Sequence, residues 1–290
     1  MFGVSSMTAP LKKVAVKKPG TSLINAKADE WHYGPSFDPK KIGEIHSIFV
    51  QMLKDSGVEV FWMPEHDFGI ADAIFTYDAS LMTPLGAILM SPGKSLRKGE
   101  QNIHRDFYEN FNIPIIGSIE ATGLAEAGDT LWLDDETLII GRGFRTNPEG
   151  IKQIKRILSP QNITIHVFDL PVFSGQAACL HLMSLISLVD TYSALVCLPL
   201  LPVGLLELLK EKNFSLIEGP FHEFEKSNTL SINVLAIGPG DCIMIDSVPE
   251  TETVLRNAGI KVQVFSGDCL CVGCEGGPTC LTRPLLRTHG

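Results

Sequence analysis

Thr137-Leu138-Ile139-Ile140-Gly141, with Asp129 ahead of it and Arg145-Thr146-Asn147-Pro148-Glu149-Gly150 behind it, reads as strand, turn, strand, arginine and helix start. The branched apolar run has strand length, and Pro148 beside Glu149 is the chemistry of a first helical turn. The same order recurs from Asp72 through Gly86-Ala87-Ile88-Leu89 to Arg97-Lys98-Gly99-Glu100. A third copy, without the arginine, runs from Ser231-Ile232-Asn233 through Ile243-Met244-Ile245 to a helix at Thr251. Repeated strand-strand-helix units that share one core predict a pseudo-symmetric ring, with function at its centre where equivalent strand ends converge.

Other strand-like runs include Val14-Ala15-Val16, Val58 to Trp62, Ala73-Ile74-Phe75 and Ile260 to Phe265, and amphipathic helices are expected over 41–56, 148–158 and 251–258. The alternation makes this an α/β protein. No linker-like stretch divides it, so residues 1–290 are expected as one catalytic domain, with 1–12 a flexible N-terminal extension. At 290 residues and 44% hydrophobic content the chain can bury a substantial core. The net charge of -9 is spread along the sequence, which excludes a basic nucleic-acid stripe and suits a small cationic substrate. No apolar run is long enough for a membrane span, and no signal-peptide pattern is present, so a cytoplasmic location is expected. The seven cysteines are then read as reduced thiols.

Glu275-Gly276-Gly277-Pro278-Thr279-Cys280-Leu281-Thr282-Arg283-Pro284-Leu285 is the most informative stretch for chemistry. Two glycines permit unusual backbone angles and close approach, Pro278 stiffens the turn, and Cys280 is either a presented nucleophile or a buried structural thiol. Glu126-Ala127-Gly128-Asp129 is either a surface turn or one that aims a carboxylate into a pocket while the second acid caps it. His181 lies among apolar neighbours, a setting that fits a satisfied core histidine as well as a catalytic one. Asp72 and Asp78 flank Ala73-Ile74-Phe75, six apart and on one face if that run is extended. Arg97 and Arg145 follow strands, where either could bind a carboxylate.

Together these pieces resemble the guanidino-group modifying enzymes of the pentein superfamily, the dimethylargininases above all. The resemblance runs from about Val14 to Leu285. It is carried by Asp72-Ala73-Ile74-Phe75-Thr76-Tyr77-Asp78, Arg97-Lys98-Gly99-Glu100, Glu126-Ala127-Gly128-Asp129, Arg145 to Gly150, Leu180-His181-Leu182 and Gly276-Gly277-Pro278-Thr279-Cys280. It implies a five-bladed α/β propeller of ββαβ-type modules around a central site. By the same resemblance Cys280 is the nucleophile, His181 the general acid and base, and Glu126 the carboxylate that orients the histidine and contacts the guanidinium. Asp78 would hold the guanidinium nitrogens, Asp72 would line the pocket, Arg97 and Arg145 would receive an α-carboxylate, and the loop around Leu23 would form a flap.

A guanidinium is planar, cationic and resistant to water, so carboxylates must fix its edge before a thiolate adds to its carbon. The implied reaction is hydrolysis of a substituted guanidine through a thiouronium on Cys280, with no metal or organic cofactor. A small guanidino compound and a second copy of the chain are the expected partners, without nucleic acid or membrane. Two positions depart from the family pattern. Tyr77 stands where dimethylargininases often have an acid, and Met183 where arginine deiminases carry an aspartate, which argues against arginine itself as substrate. Amidino transfer or deimination of another guanidine is the near alternative. From other classes come a non-catalytic ligand-binding protein and a zinc module on Cys269, Cys271, Cys274 and Cys280, whose compact spacing fits structural zinc poorly.

Overall fold

The computed structural model describes residues 1–175 and 180–288. Five three-stranded sheets follow one another around a ring. In the first, β1 (Leu11–Val16) pairs in parallel with β2 (Glu59–Trp62) across the helix Ile42–Asp55. The second holds β3 (Ser80–Thr83), β4 (Gly86–Leu89) and β5 (Ile115–Ser118); the third β6 (Thr130–Asp134), β7 (Thr137–Arg142) and β8 (Thr164–Asp169). The fourth holds β9 (Ile186–Asp190), β10 (Ser193–Val196) and β11 (Ser215–Glu218); the fifth β12 (Leu235–Gly238), β13 (Asp241–Ile245) and β14 (Lys261–Phe265). The last strand, β15 (Arg283–Arg287), returns to pair antiparallel with β1, so the first module is assembled from both ends of the sequence.

Each of the other four modules is a hairpin followed by a helix and a parallel third strand, and in the first the β15–β1 pair takes the place of the hairpin. In the third, Leu131 faces Ile139 across the antiparallel pair, and Ile139 faces His166 across the parallel one. Central strands are buried on both faces, which is why Ala87-Ile88-Leu89 and Leu138-Ile139-Ile140 read as unbroken apolar runs. The third strands are partly exposed and mixed in composition, as in Thr164–Asp169.

The ring differs from the sequence expectation in two places. Ala71–Ile74 is a 3-10 turn rather than a strand, so Asp72 and Asp78 do not share a face of extended chain. Residues 1–12 pack onto the ring instead of forming a flexible extension. Gly3 bridges to Leu286, and Val4, Thr8, Ala9 and Leu11 are buried.

The loops that enter the first strand of each module bond to one another around the axis. Tyr77 donates its N–H to the Cys280 carbonyl (3.2 Å), and Ala127 donates to the Asp78 carbonyl (2.9 Å). Leu182 donates to Asp129 Oδ1 (2.9 Å), Ser187 Oγ donates to the Ile232 carbonyl (2.6 Å), and Thr279 donates to Asn233 Oδ1 (3.0 Å). All five module junctions are thereby pinned next to the residues that carry chemistry.

Candidate active site

Those same loops place Asp78, Glu126, His181, Asn233 and Cys280 about the ring's axis, one from each module. Cys280, His181 and Asp78 line a cavity of about 340 Å³, together with Asp72, Arg97 and Arg145. A smaller recess of about 50 Å³ also shares Cys280, His181 and Asp78, and adds Met183 and Asn233.

Glu126 is fully buried behind this surface. Its Oε1 accepts the N–H of Gly93 (2.8 Å), while Oε2 lies 2.7 Å from both Arg145 Nη1 and His181 Nε2. Burial alone would raise its pKa, but Arg145 and His181 outweigh it and hold the carboxyl well below the usual range. His181 shows the complementary effect. Burial would lower it, yet Asp78, Asp129 and Glu126 raise it to about 9, so the imidazole is charged at neutral pH. Glu126 thus pairs with the histidine from one layer behind the cavity wall. Asp129 caps not its own turn but the Leu182 amide beyond His181.

Gly128 makes this crowding possible, because a Cβ there would fall 2.7 Å from both Asp78 Oδ1 and His181 Nδ1. Its N–H donates to Asp78 Oδ1 (2.9 Å). The other Asp78 oxygen accepts from Arg97 Nη1 (2.6 Å). Arg97 also donates through Nε and Nη2 to the two oxygens of Glu100 (2.8 Å each) and to the Phe75 carbonyl. Its side chain is only 5% exposed. Arg97 therefore braces Asp78 from the wall of the same cavity. Arg145, 19% exposed, remains open to the cavity.

Asp72 sits at the cavity's other end, accepting from Tyr33 Oη (2.7 Å) and Lys94 Nζ (2.8 Å). Leu23 does not reach the site: its side chain is buried in the short helix Thr21–Ile24 and is absent from the cavity wall. Tyr77 is buried too, with the Arg283 guanidinium 4.1 Å from its ring centre, which turns it toward the closing strand.

Around Cys280 the glycines serve close approach. A Cβ on Gly276 would meet the Phe75 ring at 2.3 Å, and one on Gly277 would meet Asn233 at 2.5 Å. The left-handed residue of the turn is Glu275 (φ 59°), not either glycine. Burial and the Asp78 charge push the Cys280 thiol up to about 11. Asn233, Lys94 and Glu100 carry no role in the sequence reading. Asn233 stands just ahead of the first strand of its module, as Asp78 and Glu126 do, and that shared placement is the signal that could have found it. Among the described residues, the only group of three or more His, Cys or acidic ligand atoms within 4.8 Å of one another is that of Asp78, Glu126 and His181, so the sulfurs of Cys269, Cys271, Cys274 and Cys280 do not gather into such a group.

Five ββαβ modules around a polar centre define the pentein fold, which the solved structures bear out. Dimethylarginine dimethylaminohydrolase (DDAH) from Pseudomonas aeruginosa, a mutant in complex with citrulline, superposes with a TM-score of 0.77 at 24% identity, covering 96% of this chain and all of that one. The N-terminal domain of a cyanobacterial arginine dihydrolase, bound to product, gives 0.79 at 18% identity, covering 95% of this chain and 97% of that one. The chain belongs to the arginine deiminase family, whose profile matches residues 70–203 and 198–287. In sequence it is 27% identical over 273 residues to N(G),N(G)-dimethylarginine dimethylaminohydrolase of Pseudomonas aeruginosa, covering 93% of this chain and 98% of that protein.

Proposed function

We propose that the protein hydrolyses an Nω-methylated arginine to citrulline and methylamine or dimethylamine through a thiouronium on Cys280. The observation that carries this reading is the convergence of Cys280, His181 and Asp78 on one cavity, with Glu126 locked behind the histidine. The likeness in sequence to dimethylarginine dimethylaminohydrolase over nearly the whole chain supports it.

With the thiol near 11 and His181 near 9, the resting pair is a neutral thiol beside an imidazolium. Entry of a cationic guanidinium offsets the Asp78 charge and lets Cys280 release its proton to solvent. The thiolate then adds to the guanidinium carbon. His181 gives its proton to the departing nitrogen, the carbon–nitrogen bond breaks, and a free amine leaves a thiouronium on sulfur. The neutral imidazole next takes a proton from water, the hydroxide adds to the same carbon, and the carbon–sulfur bond breaks to return the thiolate. Loss of the hydroxyl proton gives the ureido product. Met183 gives the recess beside Cys280 and His181 an apolar wall, suited to a methylated nitrogen rather than a bare one.

Purified protein is expected to release dimethylamine and citrulline from asymmetric dimethylarginine, and Cys280→Ser to abolish release while circular dichroism stays unchanged. A panel of arginine, monomethylarginine, agmatine and dimethylarginine tests the reading. Turnover of none, with equal ligand binding by wild type and Cys280→Ser, would overturn it.

A further inference from the structure

Asn233 donates Nδ2–H to the Cys280 sulfur at 3.2 Å. Which end of the carboxamide faces the sulfur is fixed by its other contact. The Thr279 amide can only donate, and it lies 3.0 Å from Oδ1, so the oxygen must face Thr279 and the nitrogen must face Cys280. The side chain is 7% exposed and is seated against Gly277, where no Cβ could fit. Thr279 Oγ1 further ties the two loops through the Val234 carbonyl (3.1 Å).

We propose that Asn233 is a catalytic residue, its Nδ2–H donating to the Cys280 sulfur whenever that sulfur carries negative charge. The proposal rests on the nucleophile reading of Cys280 given above. Both halves of that reaction pass through the thiolate, first as attacking group and later as leaving group. The sulfur sits among Asp78, which opposes its charge, and Arg97, which favours it; buried Cys271 is near, and His181 and Glu275 face the same cavity. Arg97 is committed to Glu100 and Asp78, so it acts on the sulfur only through space. Asn233 contributes a direct side-chain donor. A hydrogen bond to a charged acceptor matters most in a site closed to water.

Asn233→Asp separates this role from a structural one. The carboxylate keeps the acceptor for the Thr279 amide and the shape of the side chain but removes the donor. Because its charge alone also disfavours the thiolate, the neutral Asn233→Ser, which removes the donor without adding charge, is measured beside it. The readout is the pH dependence of Cys280 alkylation by iodoacetamide, followed by mass spectrometry of the Cys280 peptide, alongside kcat and KM. Asn233→Asp is expected to move the alkylation midpoint up by a pH unit or more and to lower kcat about tenfold to hundredfold, with KM little changed. Asn233→Ser, whose hydroxyl is too short to reach the sulfur, is expected to shift the midpoint the same way. An unchanged midpoint in whichever variant folds would overturn the proposal. Alkylation needs no turnover, so this result stands apart from the nucleophile reading, which fails separately if Cys280→Ser retains activity.

Discussion

Arg97 and Arg145 each follow the second strand of a module, yet Glu100 turns back to grip Arg97 with both oxygens while Glu149 turns forward to Gln153. The helix starts account for the difference. In the second module Gly99, in a left-handed conformation (φ 96°), is the N-cap and sets Glu100 at the first helical position, facing the arginine. In the third, Asn147 caps the Gly150 amide and Pro148 takes the first position, which moves the acid one residue on and away from Arg145. Both arginines line the cavity, but one is a buried brace for Asp78 and the other is more exposed and bound to the carboxylate that also holds His181. The repeat preserves where a side chain stands without preserving what it pairs with.

The sharpest way to break this contrast is to remove the two glutamates in turn. Glu100→Ala strands a buried guanidinium and is expected to cost about 3–5 kcal/mol of stability by urea denaturation. Glu149→Ala removes one hydrogen bond to the Gln153 amide, which keeps its bond to the Glu120 carbonyl, and is expected to change stability by roughly 1 kcal/mol or less. Comparable losses in the two variants would show that the arginines are not differently held.

A smaller effect follows from the carboxylate that Arg145 and His181 share. The pairing of His181 raises its pKa from 6.5 to about 9. Its stabilisation is therefore complete below pH 6.5 and lost as pH rises through 9. The stability difference between wild type and His181→Asn should shrink by about 3 kcal/mol between pH 6 and pH 9.5 in denaturant titrations. A difference independent of pH would remove the charged pair from the description.

Smaller again is the kinetic separation of the arginines. Arg145→Lys is expected to raise KM for a methylated arginine about tenfold, equivalent to about 1.4 kcal/mol, with the unfolding midpoint nearly unchanged. Arg97→Lys should instead lower the unfolding midpoint, because a point charge cannot make the paired bonds to Glu100. If Arg97→Lys raised KM and left stability intact, Arg97 would be the carboxylate ligand expected from sequence.

Three of the five modules were legible in the sequence because their hairpin, loop and helix lie in unbroken order. The fourth hides its helix start in Leu198-Pro199-Leu200-Leu201-Pro202, where no acid or polar cap marks the turn. The first module shows its strand, helix and strand from Val14 to Trp62 but no hairpin, since the partner of β1 comes from the opposite end of the chain. Ala73-Ile74-Phe75 misled because a short apolar run fits a buried 3-10 turn as well as a strand. Cys280, His181, Glu126 and Asp78 could be named because family resemblance supplies order where the fold supplies proximity. Asn233 was not named: it stands ahead of a strand as Asp78 and Glu126 do, but an asparagine there has no titratable group to draw notice to that placement.

The pairing of β15 with β1 bears on when the protein becomes active during its own folding. Cys280 stands at the entrance to β15, and its carbonyl is held by Tyr77 from the second module. Contacts between the extremes of a sequence carry the largest loop-closure cost and tend to form late. Trp132 is buried and donates to the Met82 carbonyl of the second module, a far shorter separation in the chain than that between β1 and β15. In refolding, Trp132 should reach its native fluorescence before turnover returns, the delay between them timing the fastening of the ring.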